Sequence, residues 1–298
     1  MGGETVIHSV AVAPDAQLAP LLDHYRQTVA AKRRTVLFGI VLLVLATVLS
    51  GAGAEVRLST FWDNIGNFGS YFGRLAHLDT GDFVWTDPVY WYWGAHRWSI
   101  QLGQTLLIAY VGTVTGAVLG LIGGVLASRN ITPSRTVRFI AVRIMEFDRT
   151  VPDIVFALIF VVAFGLGPLA GVLAIVLHTA GTLGKLFAEV IENIDMKPIE
   201  GIQGAGGTWL SQIRFGVLPQ AMSNFASYTL LRFEINVRGA AVIGFVGAGG
   251  IGQELIVAIR KFYYSDVSAI LLMLLVCVML IDYVSERLRH RLLAMEQA

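Results

Sequence analysis

The sequence predicts an all-α, polytopic membrane protein of about six transmembrane helices, and three observations carry that prediction. Only 14% of the 298 residues are charged while 55% are hydrophobic, whereas soluble domains average about 25% charged residues. Apolar runs recur at the length a spanning helix needs, roughly 20 residues. Basic residues gather in alternate connections, as the positive-inside rule requires of a multi-pass chain. The net charge of +1 gives no basis for nucleic-acid binding or a polybasic membrane anchor. Cys277 is the only cysteine and lies in an apolar run, so it reads as a packing or lipid-facing residue and excludes a disulfide frame.

The first span is expected over 35–53, which no charge interrupts. The second covers 99–127 and is rich in Gly and Thr, residues that let helices approach closely in lipid. A third begins as an Arg-bearing amphipathic stretch near Arg138 and turns fully apolar over 151–165. Gly165-Leu166-Gly167-Pro168 marks a tight turn, and a fourth span follows over 169–190. The fifth is expected over 218–246 and the sixth over 267–284. About thirty polar and mixed residues precede the first run with no A-x-A site after it, so a cleaved signal is not expected. Leu18, Leu21, Leu22 and Tyr25 make that leading stretch weakly amphipathic, either a short surface helix or a partly ordered tail.

Arg26, Lys32, Arg33 and Arg34 precede the first span, Arg129, Arg135, Arg138 and Arg143 follow the second, and Arg287, Arg289 and Arg291 follow the sixth. These set both termini in the cytoplasm. The connection 54–98 is acidic on balance and carries Trp62, Trp85, Trp91, Trp93 and Trp98, which suit an interfacial aromatic belt on the outer side. The expected organisation is a cytoplasmic tail over 1–34, the first helix over 35–53 and an extracytoplasmic loop over 54–98. A core over 99–285 with a cytoplasmic loop over 195–217 follows, then a cytoplasmic tail over 286–298.

That cytoplasmic loop holds the most informative string, EGIQGAGGTWLSQIRFGVLP over 200–219. Two short helices joined at Gly206-Gly207 would make a knob, with Trp209, Ile213 and Phe215 as an apolar anchor of the kind that dominates interfaces. The spacing of Glu200, Gly206, Leu218 and Pro219 resembles the "EAA" loop by which importer permeases dock a separate ATPase. Gly201 and Ile202 stand where that pattern has alanines, and Gly216 where it has isoleucine. The plainer reading is an ordinary connector.

Three further strings bear on chemistry. Gly247-Ala-Gly-Gly-Ile-Gly252 fits the dinucleotide fingerprint as letters, but that motif works only between a strand and a helix; a glycine turn re-entering from the outer face is expected instead. His178, Lys185 and Glu189 fall in the fourth span and Arg232, Glu234 and Arg238 in the fifth. Ionisable groups at such depth cost several kcal/mol and are usually paired or turned towards a water-filled path. Either an arginine pairs with Glu234 or another carboxylate to lock helices, or one faces the path and meets an anion through its planar fork. In Glu146-Phe-Asp-Arg-Thr-Val-Pro-Asp153, Pro152 sets a bend, and Arg149 and Asp153 either face that path or, more plainly, pair with each other.

Taken together, Asp148-Arg-Thr-Val-Pro-Asp153, the histidine-bearing segment 177–189, the Arg-Phe-Glu-x-Asn-x-Arg segment ending at Arg238 and the glycine string resemble the permease subunit of phosphonate ABC importers. The resemblance covers about 101–281. It implies a type I ABC importer permease fold in the inner (plasma) membrane, a permease dimer around a central path, two ATPase subunits and an extracytoplasmic substrate-binding protein. The chain would then be no enzyme and hold no catalytic residue, metal or cofactor, with ATP and Mg on the partner ATPase. The implied path residues are Arg232 and Arg238, then His178 and Lys185. ATPase coupling falls to Glu200, Gly206, Trp209, Leu218 and Pro219, and replacing Arg238 by alanine is expected to lower transport. Rival readings keep the permease but change the cargo to phosphate, phosphite or a zwitterion such as methionine. Others replace it by an ATP-independent secondary transporter, or by a membrane hydrolase using His178, which no HExxH or GxSxG string supports.

Overall fold

In a computed structural model, which describes residues 15–296, every regular element is helical. Residues 1–70 and 71–298 form two separate units. The first contains α1 (Asp15–Gly53), a single 39-residue helix, and most of α2 (Leu58–Leu75). The leading amphipathic stretch, from Asp15 on, is thus continuous with the first apolar run rather than a helix of its own. The connection expected as a loop over 54–98 contains an 18-residue helix, α2, whose Leu58, Phe61, Trp62 and Ile65 recur at helical spacing on one exposed apolar face.

The second unit holds α3 (Pro88–Trp91), α4 (Ala95–Ala127), α5 (Arg135–Thr150), α6 (Asp153–Phe164) and α7 (Pro168–Glu192). The chain continues through α8 (Lys197–Gly204), α9 (Trp209–Ser211), a π-helical turn (Gln212–Val217) and α10 (Leu218–Ile243). A 3₁₀ turn (Gly244–Val246), α11 (Ile251–Arg260) and α12 (Tyr264–Glu296) complete it. Four helices are long and apolar enough to cross a membrane, and a fifth if the pair Trp209–Val246 and Ile251–Arg260, bent by 48°, counts as one span. About six were expected. The difference lies at Val151-Pro152, where the expected third span divides into an Arg-rich α5 and an apolar α6 of 12 residues. Pro152 has no N–H to continue the ladder, and neither half alone is long and apolar enough.

The packing centre is the α4–α7 pair, the most extensive helix contact among the described residues. It is built on Gly112, Gly116, Gly120 and Gly124, which recur every four residues along one face of α4. A Cβ on Gly112 would lie 2.6 Å from Ile175 Cγ2, and one on Gly116 2.7 Å from Thr179 Cβ. A Cβ on Gly120 or Gly124 would meet the backbone of Gly184, at 3.0 Å from its nitrogen and 2.9 Å from its oxygen. In lipid, where hydrophobicity does not drive helices together, such close backbone approach supplies the dispersion energy that does.

The glycine string closes the other end of this unit. Gly247, Gly249 and Gly250 have positive φ, and the turn they form packs on the α6–α7 connection, where Gly167 N–H donates to Gly247 O at 3.0 Å. The first N–H groups of α11 are taken by α4: Gly250 N–H donates to Gln104 Oε1 at 3.2 Å and Ile251 N–H to Thr105 Oγ1 at 2.8 Å. Those are the donors a bound phosphate would use in a dinucleotide site, so the string is a structural turn. The tryptophans divide in function. Trp62, Trp85 and Trp93 are exposed, but Trp98 is buried in the core, and the Trp91 indole donates to Ser265 O and Ser268 Oγ on α12. Of the five rings expected to form a belt, Trp62, Trp85 and Trp93 are thus exposed, while Trp98 is core; Trp91 and Trp93 both tie to α12, Trp93 by donating to Asp266 Oδ1 at 2.9 Å.

Candidate functional site

The break at Val151-Pro152 gathers the ionisable residues. Pro152 has no N–H to offer Asp148 O, and Val155 N–H bonds Pro152 O at 3.0 Å rather than Val151 O; His178 Nδ1 lies 3.2 Å from that freed Val151 O. A carbonyl only accepts, so the proton of this contact sits on Nδ1. Arg232 and Asp153 both act electrostatically on His178, and Asp153 acts on Arg232. Asp153 Oδ1 accepts from Ile154 N–H at 2.9 Å, and its Oδ2 would be only 3.2 Å from a Cβ on Gly239. Gly181 permits the approach of α5: a Cβ there would lie 2.7 Å from Asp148 Cβ and 2.9 Å from Arg149 N. Three strings far apart in sequence thus meet at one place, on α5–α6, α7 and α10.

Arg232 and Arg238 part company. Arg238 Nη1 lies 3.8 Å from Asp282 Oδ2 on α12, both side chains about half exposed. Arg232 Nε is buried and has no hydrogen-bond partner among the described residues. Glu234 is buried and meets Arg289 on α12 at 3.5 Å. The carboxylates that lock α10 to α12 thus include Asp282, which no local spacing around Arg238 reveals. Lys185 is exposed and pairs with Glu189 one turn on, at 3.1 Å. Arg149 makes no ion pair with Asp153; it lines a separate cavity with Lys185.

Asn236 is a residue the sequence reading left without a role. It is buried, and its Nδ2 donates to Thr113 Oγ1 on α4 at 2.8 Å and Thr179 Oγ1 on α7 at 2.9 Å. One amide therefore bolts three helices together beside His178. Its signal was a polar amide midway between Glu234 and Arg238, two positions from each.

At the α8 end of the bundle the chain forms a knob of two short helices meeting at Gly206-Gly207. Gly206 N–H donates to Gln203 O at 3.0 Å and Gly207 N–H to Ile202 O at 2.8 Å, the paired bonds of a Schellman stop. Gly206 takes the left-handed φ of +79° that this motif needs. Thr208 caps α9 by accepting from Ser211 N–H. Trp209 Nε1 donates to Ile131 O at 3.0 Å, tying the knob to the α4–α5 connection. Gly216 lets α8 lie close: a Cβ there would be 2.7 Å from Ile199 Cγ1. The π-turn over Gln212–Val217 precedes Leu218 and Pro219, where the missing proline N–H loosens the ladder. Glu200, Leu210 and Phe215 are exposed on this knob.

A helical bundle with charges gathered at a helix break, and a compact knob between two spans at one end, defines the class: a solute permease. Its fold matches a permease chain of the methionine ABC transporter seen in inward-facing conformations. That match has a TM-score of 0.56 and 20% identity over 65% of this chain and 95% of the other. Residues 98–293 match the family described as "Binding-protein-dependent transport system inner membrane component", and the chain belongs to that family. It is similar to the phosphite transport system permease protein PtxC of Stutzerimonas stutzeri, 41% identical over 66% of this chain and 71% of that protein. It is also similar to the putative cryptic phosphonate transport system permease protein PhnE2 of Escherichia coli K12, 49% identical over 39% of this chain and 96% of that one. The protein is a multi-pass inner-membrane permease subunit and not itself a catalyst. Membership implies an ATPase and a binding protein as its partners.

Proposed function

We propose that this subunit carries a phosphorus oxyanion, phosphonate first, across the inner membrane when a partner ATPase hydrolyses ATP. The observation that carries this reading is the meeting of His178, Arg232 and Asp153 at the Pro152 break, with Arg232 Nε buried and unpartnered. A guanidinium in that state offers its planar fork to two phosphoryl oxygens. Similarity to permeases named for phosphite and phosphonate transport supports the cargo class. Arg232 and His178 are the first path residues; Lys185, further towards α8, ranks after them because Glu189 lies 3.1 Å from its ammonium. Arg238 stands behind them because Asp282 already answers its charge.

In this reading both termini and the α8–α9 knob face the cytoplasm, and a second copy of the subunit completes the path. Two ATPases bind, one on each knob, through Glu200, Leu210 and Phe215, while Gly206, Trp209, Leu218 and Pro219 shape the knob. Closure of the ATPases moves it and rocks the bundles outward, and hydrolysis returns them, so transport couples two states to the nucleotide cycle. The cargo is tested by competition: labelled methylphosphonate uptake into proteoliposomes holding the complete importer, challenged with phosphite, phosphate and methionine. Displacement by phosphorus oxyanions alone fits the proposal. Displacement by methionine and not by the oxyanions would refute it.

A further inference from the structure

We propose that a cavity between the end of α4, α5 and the last turns of α7 binds a phosphoryl group, at a second site distinct from the His178–Arg232 cluster. Its volume is about 280 Å³. Arg129, Arg138, Arg143, Arg149 and Lys185 line it, against Glu146, Glu189 and Glu192. Each carboxylate already meets one cation: Glu192 lies 3.8 Å from Arg129, Glu146 2.5 Å from Arg143 and Glu189 3.1 Å from Lys185. Arg138 and Arg149 are left with no carboxylate partner among the described residues, so five cations against three anions leave a surplus of two.

Arg138 and Arg149 are eleven residues apart on α5, within about 20° of the same face but three turns and about 16 Å apart along it, so they stand towards opposite ends of the cavity. Buried Met145 lies between them in sequence and, with Ala188, makes the apolar floor. An unpaired guanidinium fork at either end, within a cavity of surplus positive charge, suits a phosphoryl group, because a fork can bond two of its oxygens. Lys185 ties the cavity to the first site: it follows His178 by seven residues on α7, two turns along the same face and about 10 Å away.

The phosphoryl group comes either from the transported anion or from a phospholipid head, and only the first source rests on the transport reading above. The experiment uses the assembled permease–ATPase complex in nanodiscs, as wild type, as the double variant R138Q/R149Q, and as R138K/R149K. One arm measures equilibrium binding of labelled methylphosphonate and phosphate in phosphatidylcholine discs. The other counts phosphatidylglycerol retained by the complex after exchange into a neutral lipid. The double glutamine variant should bind at least about tenfold more weakly in one arm, in line with losing a charge-assisted hydrogen bond. The lysine variant, with charge but no fork, should fall between. Loss in the anion arm identifies a transit station, and loss in the lipid arm a headgroup site. Equal binding by stably assembled wild type and double glutamine variant in both arms would overturn the proposal. Both arms read binding directly, so a wild type that transports no phosphorus oxyanion refutes the transport reading without deciding this one.

Discussion

Adding one methyl group at Gly120 should separate α4 from α7, and the size of the effect follows from the contacts. The new Cβ would sit 3.0 Å from Gly184 N, 3.2 Å from Ala180 O and 3.2 Å from Leu183 Cβ. Two of those atoms are backbone and cannot swing away, so the helices must part by a few tenths of an ångström. Overpacking of this kind costs about 1–3 kcal/mol. Alanine is also the better helix former by about 0.8–1 kcal/mol, which would mask part of the loss. Gly103→Ala is the control: it lies on the same helix with nothing within 4 Å of its added Cβ. The propensity gain is common to both variants, so Gly120→Ala should be less stable than Gly103→Ala by about 1–3 kcal/mol. Reversible unfolding in mixed micelles, followed by circular dichroism over a range of SDS mole fraction, measures that difference. Equal stabilities would refute the claim that the α4–α7 contact is set by backbone approach at the glycines.

Asn236→Ala should destabilise the bundle by about 1–3 kcal/mol in the same assay, since interhelical hydrogen bonds in membranes average about 0.6 and reach about 1.7 kcal/mol each and this residue makes two. Gly206→Val should leave insertion intact but strain the left-handed turn by about 1–2 kcal/mol; ATPase stimulation by the binding protein, measured in the reconstituted importer, should fall. Arg232→Gln should lower uptake about tenfold or more, the scale of one charge-assisted hydrogen bond, whereas Arg238→Gln should lower it less because Asp282 already shares that charge. Uptake rates of correctly inserted variants check the order, and a reversed order contradicts the assignment.

What was legible in the chain depended on how local its cause is. Long apolar runs such as that of α1 show directly, because lipid demands them over consecutive residues. The Schellman stop at Gly206-Gly207 and the bend at Pro152 were also readable, since both follow from the backbone of one or two residues. α2 was readable but missed: Leu58, Phe61, Trp62 and Ile65 have the helical period inside a stretch treated as a loop. The Asp282 partner of Arg238 and the two threonines held by Asn236 lie 44 to 123 residues away in sequence, so only packing brings them together. The exposed and buried tryptophans differ for the same reason. An aromatic ring suits an interface or a core equally well, and its neighbours decide which.

As proposed, this chain carries solute only when another subunit turns over ATP. Uptake of labelled methylphosphonate into proteoliposomes, with the permease, the ATPase and the binding protein each omitted in turn, tests it most directly. Uptake is expected only when all three and hydrolysable ATP are present, and should fall about tenfold or more in Arg232→Gln. Uptake by this chain alone without nucleotide would contradict it and place the protein among secondary transporters.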